Sequence, residues 1–527
     1  MKRHLLLLSL CAVTARAQVP YERIRDAGNE PGNWLTYSGD YAGHRYSPLA
    51  GLTPANVAGL KPLWIYQSRE AGTIETSPLV IDGIIYITEK PNIVTALDGR
   101  TGRPLWTYRR AEVHDAQACC GNVNRGLAVL DNTLYLGTLD AHLVALDLDT
   151  GREKWDVEVA DYAKGYSITV APLAVKDKVI IGISGGEYGI RGFLDAYDAR
   201  TGRRAWRFWT VPGPGEPGHE TWGPGDAWQH GGAPTWVTGT YDPQLNLLYW
   251  GTGNPGPNFD GDNRPGDNLY TDCVLAIDPD TGELRWHFQY TPHDLHDWDS
   301  TQVPVLADAV VNGQPRKLLL QANRNGFYYV LDRATGEFLA GTAFAQQTWA
   351  KGLDAHGRPI LLPGIEPTPK GSQVYPGLGG ATNWFSPSYS PKNQLFYVQA
   401  QADYTEVFFK LPGEYRAGDR FEGGATGSVP DRESSSVIRA LEPATGRLRW
   451  EFKLHGGGSG GVLSTAGGLV FTGNRDGNFI ALDAASGQPL WHFQTGGMVW
   501  ANPVSFLVDG RQCVAIAAGS SLLVFAR

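Results

Sequence analysis

Ala96-Leu-Asp-Gly-Arg-Thr-Gly-Arg-Pro-Leu-Trp106 is the stretch that decides the fold, because its spacing, Ala-x-Asp-x-x-x-Gly-x-x-x-Trp, recurs along the chain. The aspartate and the Thr-Gly pair predict a tight turn between two strands, with glycine at the positive-φ position. The tryptophan returns on the next strand, where its flat surface can pack against a neighbouring copy. Four further complete copies and two altered ones follow, at residues 145–155, 196–206, 276–286, 330–340, 440–450 and 481–491.

Short sheets repeated in this way cannot bury their own faces, so the pattern predicts an all-β fold, a β-propeller. The composition agrees, with 66 glycines, 17 tryptophans and 23 tyrosines against 2 methionines. Trp64 provides the second half of an eighth copy, and the terminal run 521–525 provides its first half. Joining the two chain ends within one sheet closes a ring without free edges. We therefore expect eight blades in a single domain over residues 18–527; an open solenoid is the alternative, but it would have capped ends.

The N-terminus has the pattern of an export signal. Lys2 and Arg3 precede an apolar run over residues 5–13, and Ala15-Arg-Ala17 provides a small-residue cleavage site. The apolar run is much shorter than the ~20 residues that span a bilayer. We expect a signal peptide over residues 1–17, a periplasmic mature protein and no membrane span. The net charge of −9 without a basic block excludes nucleic acid as an expected partner.

The densest group of ionisable residues lies in Thr291-Pro-His-Asp-Leu-His-Asp-Trp-Asp299. Asp297 and Asp299 are two residues apart, so in an extended segment both side chains would point to the same side. Two carboxylates held together call for a cation or a proton between them. The stretch alone is equally compatible with a solvated polar turn. Two long inserts, residues 212–232 and 352–382, are further candidates for functional loops.

Cys119 and Cys120 are adjacent in sequence. A bond between neighbouring cysteines closes a small, strained ring and is rare, so spacing alone favours two buried thiols over a disulfide.

These motifs together resemble the pyrroloquinoline quinone (PQQ) dependent alcohol dehydrogenases. The resemblance is carried by the tryptophan repeat, the adjacent cysteines, Gly-Thr-Gly-Asn-Pro at 251–255 and His-Asp-x-x-Asp-Trp-Asp at 293–299. It extends from about Trp34 to the C-terminus, and within the family the chain resembles the lanthanide-dependent type.

The resemblance implies a PQQ site in which a Cys119–Cys120 disulfide covers one face of the quinone and Trp236 the other. Arg125 is expected to pair with a cofactor carboxylate, and glycines 185 and 186 to allow close backbone approach. The full set of implied cofactor-binding residues is Glu75, Cys119, Cys120, Arg125, Thr169, Ser184, Gly185, Gly186, Thr235, Trp236, Arg324, Asn383 and Trp384.

The resemblance also implies a metal ion, held by Glu187, Asn254, Asp297 and Asp299. Calcium-dependent members commonly carry a small residue at the position of Asp299, so this aspartate favours a lanthanide, with Ca²⁺ as the alternative. Asp297 would be the catalytic base and Arg324 would stabilise the reduced quinone oxygen. The chain departs from the family pattern around Thr235, at His296, which replaces a residue that is usually tryptophan and is expected to reshape the substrate pocket, and after Ala518.

The expected function is oxidation of a primary alcohol. No Cys-x-x-Cys-His haem motif occurs, so a separate soluble cytochrome c or similar acceptor is expected to take the electrons. A sugar or polyol dehydrogenase is the alternative enzyme, and a non-catalytic exported propeller scaffold is the alternative outside catalysis. The sequence leaves open which alcohol is oxidised and whether the protein forms a homodimer.

Overall fold

The chain folds into a ring of β-sheets. The structure is a computed structural model, and it describes residues 18–527 apart from residues 112, 114, 115, 117, 312 and 431. The predicted signal peptide, residues 1–17, lies outside the described residues. Within them, seven four-stranded sheets and one five-stranded sheet form eight blades, with two smaller sheets added. The prediction of an all-β, eight-bladed propeller is confirmed.

The first half of the ring follows the chain. Two strands, β1 (Tyr46–Ser47) and β2 (Lys61–Gln67), precede the first blade. Blades one to four each consist of four consecutive antiparallel strands. These are β3 (Leu79–Ile81), β4 (Ile84–Glu89), β5 (Ile93–Asp98) and β6 (Pro104–Arg109); β7 (Ala128–Leu130), β8 (Thr133–Gly137), β9 (His142–Asp147) and β10 (Glu153–Glu158); β11 (Leu173–Val175), β12 (Lys178–Gly182), β13 (Phe193–Asp198) and β14 (Arg204–Trp209); and β15 (Thr240–Asp242), β16 (Leu247–Gly251), β17 (Cys273–Ile277) and β18 (Leu284–Gln289).

The second half carries insertions. The fifth blade is β19 (Val305–Val311), β20 (Gln314–Ala322), β21 (Phe327–Asp332) and β22 (Phe338–Ala343); then come β23 (Ala350–Leu353), β24 (Pro359–Leu361), β25 (Ser372–Val374), β26 (Ser388–Ser390), β27 (Leu395–Gln401), β28 (Glu406–Lys410), β29 (Gly424–Ser428), β30 (Ser436–Leu441) and β31 (Leu448–Leu454). Of these, β26, β27, β30 and β31 form the sixth blade. The last seven strands are β32 (Leu463–Thr465), β33 (Leu469–Gly473), β34 (Asn478–Asp483), β35 (Pro489–Gln494), β36 (Val504–Val508), β37 (Arg511–Ala518) and β38 (Ser521–Ala526).

Helical structure is sparse in the described chain. The α-helix α1 (Tyr21–Arg25) is one short turn near the N-terminus, and none of the described helices is long and apolar enough to cross a bilayer. Short 3₁₀ turns occur at Ala27–Asn29, Val57–Gly59, Tyr162–Lys164, Gly186–Tyr188, His219–Trp222 and Ala227–His230.

The repeated motif holds adjacent blades together. In the first blade, Ala96 pairs with Trp106 and the register then shifts by one residue, and the same bulge recurs at the motif in other blades. Gly151, at φ +67°, packs directly on the Trp106 ring of the preceding blade. A side chain at that glycine would overlap the ring, and the positive φ disfavours an L-residue. The glycine of one motif and the tryptophan of the preceding one are therefore partners across the blade interfaces, except at Gly446, which packs on Thr342 and Tyr328 because the preceding copy has Ala340 in place of tryptophan.

The eighth blade joins the two chain ends. Strand β2 pairs antiparallel with β38, and Trp64 lies opposite Val524 with the same bulge as in the other blades. Strands β37 and β36 complete this sheet. The predicted closure by complementary chain ends is thus confirmed, and the ring has no free edge at the junction.

The seventh blade consists of β32, β33, β34 and β35. It has a fifth strand, because β1 pairs parallel with β32. The predicted insert 352–382 contains parts of the hairpin β23–β24 and strand β25. A second insertion, between β27 and β30, was not predicted: its strand β28 pairs with β25 on one side and with β29 on the other, in a three-stranded sheet outside the ring.

Candidate functional site

The predicted site residues lie on loops at one end of the ring. In an antiparallel four-stranded blade the second and fourth strands end at the same edge, so the loops that follow them meet there. Glu187 and Arg324 lie on loops that follow second strands, β12 and β20. Trp236 and Asp297 lie on the links from one blade to the next. The topology therefore brings residues that are far apart in sequence together at one end of the ring.

A cavity of about 510 Å³ opens at this end of the ring. Most of the predicted site residues line it: Glu75, Cys119, Cys120, Arg125, Thr169, Ser184, Gly185, Glu187, Trp236, Asp297, Asp299, Arg324, Asn383 and Trp384. The cavity also has an apolar and aromatic lining from residues such as Val123, Leu378, Phe385 and Trp500. Apolar walls with a few polar groups are typical of a small-molecule site.

Cys119 and Cys120 form a disulfide on the cavity wall, so the disulfide implied by the resemblance is confirmed and the reading as two thiols was wrong. A carboxylate oxygen of Glu187 and the two sulfur atoms lie within 4.8 Å of one another. Because the sulfurs are joined to each other, neither is the thiolate that binds metals. The closeness instead places the acidic group of Glu187 directly beside the disulfide.

The Arg125 guanidinium forms a cationic wall of the cavity. It lies 4.9 Å from the ring centre of Trp236 and 4.6 Å from that of Trp384. Its Nη2 is 3.1 Å from a carboxylate oxygen of Glu75, and its Nη1 donates to the Thr169 hydroxyl at 2.9 Å. Its Nε is buried without a hydrogen-bond partner among the described residues. A guanidinium held in this way suits an anionic ligand group.

Asp299 lies at the centre of a second polar cluster. Its carboxylate accepts hydrogen bonds from Arg324 Nη1 at 2.7 Å, the Trp236 indole at 3.1 Å and the Asn254 backbone N–H at 3.0 Å. Arg324 also donates to the carbonyl of Leu378. Its Nε has no hydrogen-bond partner among the described residues. Three donors thus fix one carboxylate at the cavity wall.

Asp297 has a different environment. Within the described part of the chain, its carboxylate accepts one hydrogen bond, from the neutral Asn258 amide at 3.2 Å. The residue has φ +59°, so the expected extended conformation of this stretch was wrong. Asp297 and Asp299 nevertheless both line the cavity. The local turn, and not strand alternation, brings them to the same side.

Three of the cavity carboxyl groups, those of Glu187, Asp297 and Asp299, form what we call the acidic corner, and they resist ionisation when no cation is bound. Burial raises the pKa of Glu187 to about 7, and Asp299 adds to the shift by repulsion. Burial also raises the pKa of Asp297 well above its usual value and raises that of Asp299, while Arg324 opposes both shifts. A bound cation would stabilise the ionised carboxylates and displace their protons.

Three predicted residues lie behind the cavity wall. Thr235 is buried, where its hydroxyl accepts from the Ile183 N–H and donates to the Phe193 carbonyl. Asn254 is also buried, and a side chain on Gly186 would come within 3.8 Å of its amide oxygen. Gly186 and Asn254 therefore lie next to the acidic corner, whereas the hydroxyl of Thr235 binds only the protein backbone.

His296 does not line the cavity, contrary to the expectation that it reshapes the substrate pocket. Its ring stacks on Trp298 with centres 4.4 Å apart and contacts the Ile365 carbonyl at 2.9 Å. Burial lowers the pKa of His296 to about 4, so the ring is neutral near pH 7. The histidine packs in the core and ties this loop to the insertion.

Sequence reasoning missed several residues of the site. Asn258, which contacts Asp297, lies three residues after the Asn-Pro of the 251–255 motif and carried no signal of its own. Further lining residues come from stretches without a recognised motif: Thr382, Gln401, Tyr404, Ser434, Arg475 and Trp500.

Comparison with known proteins identifies the family. Residues 34–346, more than half of the chain, match the family model described as "Glucose/ethanol/alcohol dehydrogenase, beta-propeller domain". Residues 434–526 match the model described as "Outer membrane protein assembly factor BamB". The second match covers only the last blades of the ring.

Curated relatives and solved structures agree with the first match. The quinoprotein alcohol dehydrogenase PedH of Pseudomonas putida is 40% identical, over 97% of this chain and 90% of its own length. The 1-butanol dehydrogenase (cytochrome c) of Thauera butanivorans is 38% identical, over 93% of this chain and 74% of its own.

Among solved structures, the quinohemoprotein alcohol dehydrogenase ADHIIG from Pseudomonas putida superposes with a TM-score of 0.93 and 38% identity, covering 97% of this chain and 82% of that one. A europium-containing methanol dehydrogenase gives a TM-score of 0.90 and 32% identity, covering 96% and 100%. The propeller, the disulfide on the cavity wall and these matches lead to one conclusion. The chain belongs to the family of PQQ-dependent alcohol dehydrogenases.

Proposed function

We propose that this protein is an exported enzyme that oxidises a primary alcohol to the aldehyde, with Asp297 as the base. The observation that carries the proposal is the placement of Asp297 and Asp299 in one cavity, beside the Cys119–Cys120 disulfide and Trp236. A scaffold has no use for buried, cavity-facing carboxylates, whose burial opposes folding.

The cavity suits PQQ. A flat aromatic acid needs apolar faces and cations at its edge, and the disulfide, Trp236 and Arg125 supply these groups. The unpartnered Nε atoms of Arg125 and Arg324 leave donors available for a ligand. We assign further cofactor contacts to Glu75, Thr169, Ser184, Gly185, Gly186, Asn383 and Trp384, and we withdraw Thr235.

The acidic corner suits a hard cation. Carboxylate oxygens of Glu187, Asp297 and Asp299 and the amide oxygen of Asn254 are the donors such ions prefer. We propose a lanthanide rather than Ca²⁺, because three carboxylates can neutralise a trivalent ion. The europium-containing methanol dehydrogenase among the similar structures supports this choice.

When bound, PQQ would supply the two-electron acceptor for the hydride of the alcohol, and a cation held by Glu187, Asn254, Asp297 and Asp299 would make that acceptor more electrophilic. Asp297 takes the hydroxyl proton of the alcohol, since it lines the cavity and, among the described residues, forms no salt bridge with a lysine or arginine. Arg324 stabilises negative charge that develops beside it. Asp299, held by three donors, is a fixed negative charge and not a second base.

We further propose that a separate cytochrome c accepts the electrons in the periplasm. The relative from Thauera butanivorans is named as a cytochrome c-linked 1-butanol dehydrogenase, which supports this class of acceptor. The N-terminal pattern of Lys2, Arg3 and the apolar run supports export.

The test is a reconstitution. The mature chain is stripped of metal, PQQ is added, and alcohol-dependent dye reduction is measured with Ca²⁺ and, separately, with a light lanthanide. We expect activity with the lanthanide, and its loss in Asp297→Asn at unchanged PQQ absorbance. Activity with Ca²⁺ alone would contradict the metal assignment, and failure to bind PQQ would contradict the function.

A further inference from the structure

The loop that carries Asp297 has a left-handed backbone conformation at that residue. Asp297 has φ +59°, a region that is strained for most L-residues and that aspartate adopts more readily than most, usually with local hydrogen bonds. Such a residue persists only where its surroundings fix both flanking peptides.

The Asp294 carboxylate fixes both flanks. One oxygen accepts the N–H of His296 at 2.9 Å and the other accepts the N–H of Trp298 at 2.7 Å, so the two bonds bracket Asp297. Asp294 is 1% exposed and does not line the cavity. It therefore contacts the loop backbone and not the reacting groups.

Arg264 anchors the backbone of Asp294. Its Nη2 donates to the Asp294 carbonyl at 2.8 Å and to the Pro257 carbonyl at 2.9 Å. Pro257 precedes Asn258, whose amide donates to the Asp297 carboxylate. The buried Arg264 guanidinium thus links Asp294 to the segment that carries Asn258, the hydrogen-bond donor to Asp297.

We propose that Asp294 is a positioning residue for the base: its carboxylate, anchored through Arg264, holds Asp297 in the orientation that faces the substrate. This inference rests on the proposed role of Asp297. Misplacement of a reacting group by ~1 Å can cost about 10²-fold in rate, so a small change in the loop has a large effect.

The chain offers a matched control. Asp354, in the turn between β23 and β24, accepts the N–H of His356 at 2.8 Å and that of Arg358 at 2.9 Å. As for Asp294, the two N–H donors lie two and four residues after the aspartate in sequence. Asp354, however, belongs to a different segment from Asp297 and does not line the cavity.

The experiment compares Asp294→Asn, Asp354→Asn and Asp297→Asn with the wild type, all loaded with PQQ and metal. It measures kcat, KM, PQQ absorbance and amide hydrogen exchange of the peptide over residues 293–299. For Asp294→Asn we expect kcat to fall about 10²-fold, KM to change by less than about threefold, and exchange of this peptide to accelerate. Asp354→Asn should keep wild-type kcat.

A second variant, Arg264→Lys, tests the anchor of Asp294. Lysine lacks the planar guanidinium, so it cannot reproduce the hydrogen bonds of Arg264 to the Asp294 and Pro257 carbonyls. The variant should lower kcat in the same direction, and it serves if Asp294→Asn does not fold. The proposal is overturned if folded Asp294→Asn keeps kcat within twofold, if Asp354→Asn loses as much, or if lost activity only follows lost PQQ. If Asp297→Asn is active, the proposed role of Asp297 as the base is wrong. If Asp297→Asn is inactive and Asp294→Asn is active, only the proposed positioning role of Asp294 is wrong.

Discussion

Asp299→Asn tests the metal assignment, because it removes one negative charge from the acidic corner and keeps the side-chain shape. The wild-type carboxylate is held by Arg324 at 2.7 Å, by the Trp236 indole and by the Asn254 N–H. We predict that the wild type prefers a lanthanide to Ca²⁺ and that the variant loses most of this preference.

The magnitude follows from charge. Two unit charges ~4 Å apart interact with about 4 kcal/mol at an effective dielectric constant of about 20. A lanthanide carries one more unit of charge than Ca²⁺, so losing Asp299 weakens its binding by about that much more. Since 1.4 kcal/mol is tenfold, the upper limit is close to a thousandfold change in the affinity ratio. Water that binds the ion in place of the carboxylate offsets part of this loss of affinity. We therefore expect the ratio of lanthanide to Ca²⁺ affinity to fall about 10²-fold.

The assay uses metal-free protein. Terbium affinity is read from luminescence sensitised by tryptophan, and Ca²⁺ affinity from competition. Asp195→Asn is the control, because Asp195 is another buried carboxylate paired with an arginine, Arg207, at 2.7 Å. An unchanged affinity ratio in Asp299→Asn, or a wild type that prefers Ca²⁺, would refute the reasoning.

Three further predictions concern stability and the cofactor. Gly151→Ala should lower the free energy of unfolding by about 2–4 kcal/mol in denaturant melts, because it adds ring overlap to a positive φ; Gly510→Ala, with φ +76° and open space, should cost only the backbone part, about 1–2 kcal/mol. Arg420→Ala should speed PQQ release about five- to tenfold in a chase assay, because Arg420 donates to the disulfide segment at 3.2 Å, whereas Arg416→Ala on the same loop should not. Metal-free protein should lose thermal stability as the pH rises from about 4.5 to about 7, because the raised pKa of Glu187 favours its neutral form in the folded state; Glu187→Gln should flatten this dependence, and a steeper loss in that variant would contradict it.

Local periodicity made the fold predictable. Each motif encodes its own hairpin and its own contact with the next blade, so the count of motifs gives the count of blades. The two chain ends were complementary halves of one motif, as the pairing of Trp64 opposite Val524 shows. The insertion between β27 and β30 was not predicted because its strands β28 and β29 follow no repeat, and β28 pairs with β25, a strand of the other insertion.

The site was predictable only where motifs carried it. The resemblance did not separate Thr235 from its neighbour: Trp236 lines the cavity, whereas the Thr235 hydroxyl is bonded to the backbone of Ile183 and Phe193. The role of Asp294 could not be inferred from its position in the stretch. Its partners are backbone N–H groups, and these come within reach only once Asp297 has taken its left-handed conformation.

Two aspartates two residues apart differ in what surrounds them, and this difference supports their separate roles. Asp299 accepts hydrogen bonds from a guanidinium, an indole and a backbone N–H, which occupy its oxygens and oppose the rise in pKa that burial causes. Asp297 has one neutral amide, so its oxygens remain available. A base must be held in place without a salt bridge to an arginine or lysine side chain, which would compete with the substrate proton for its oxygens. Bonds to the flanking peptides from Asp294 meet that requirement, because they fix the backbone of Asp297 and leave its carboxylate free.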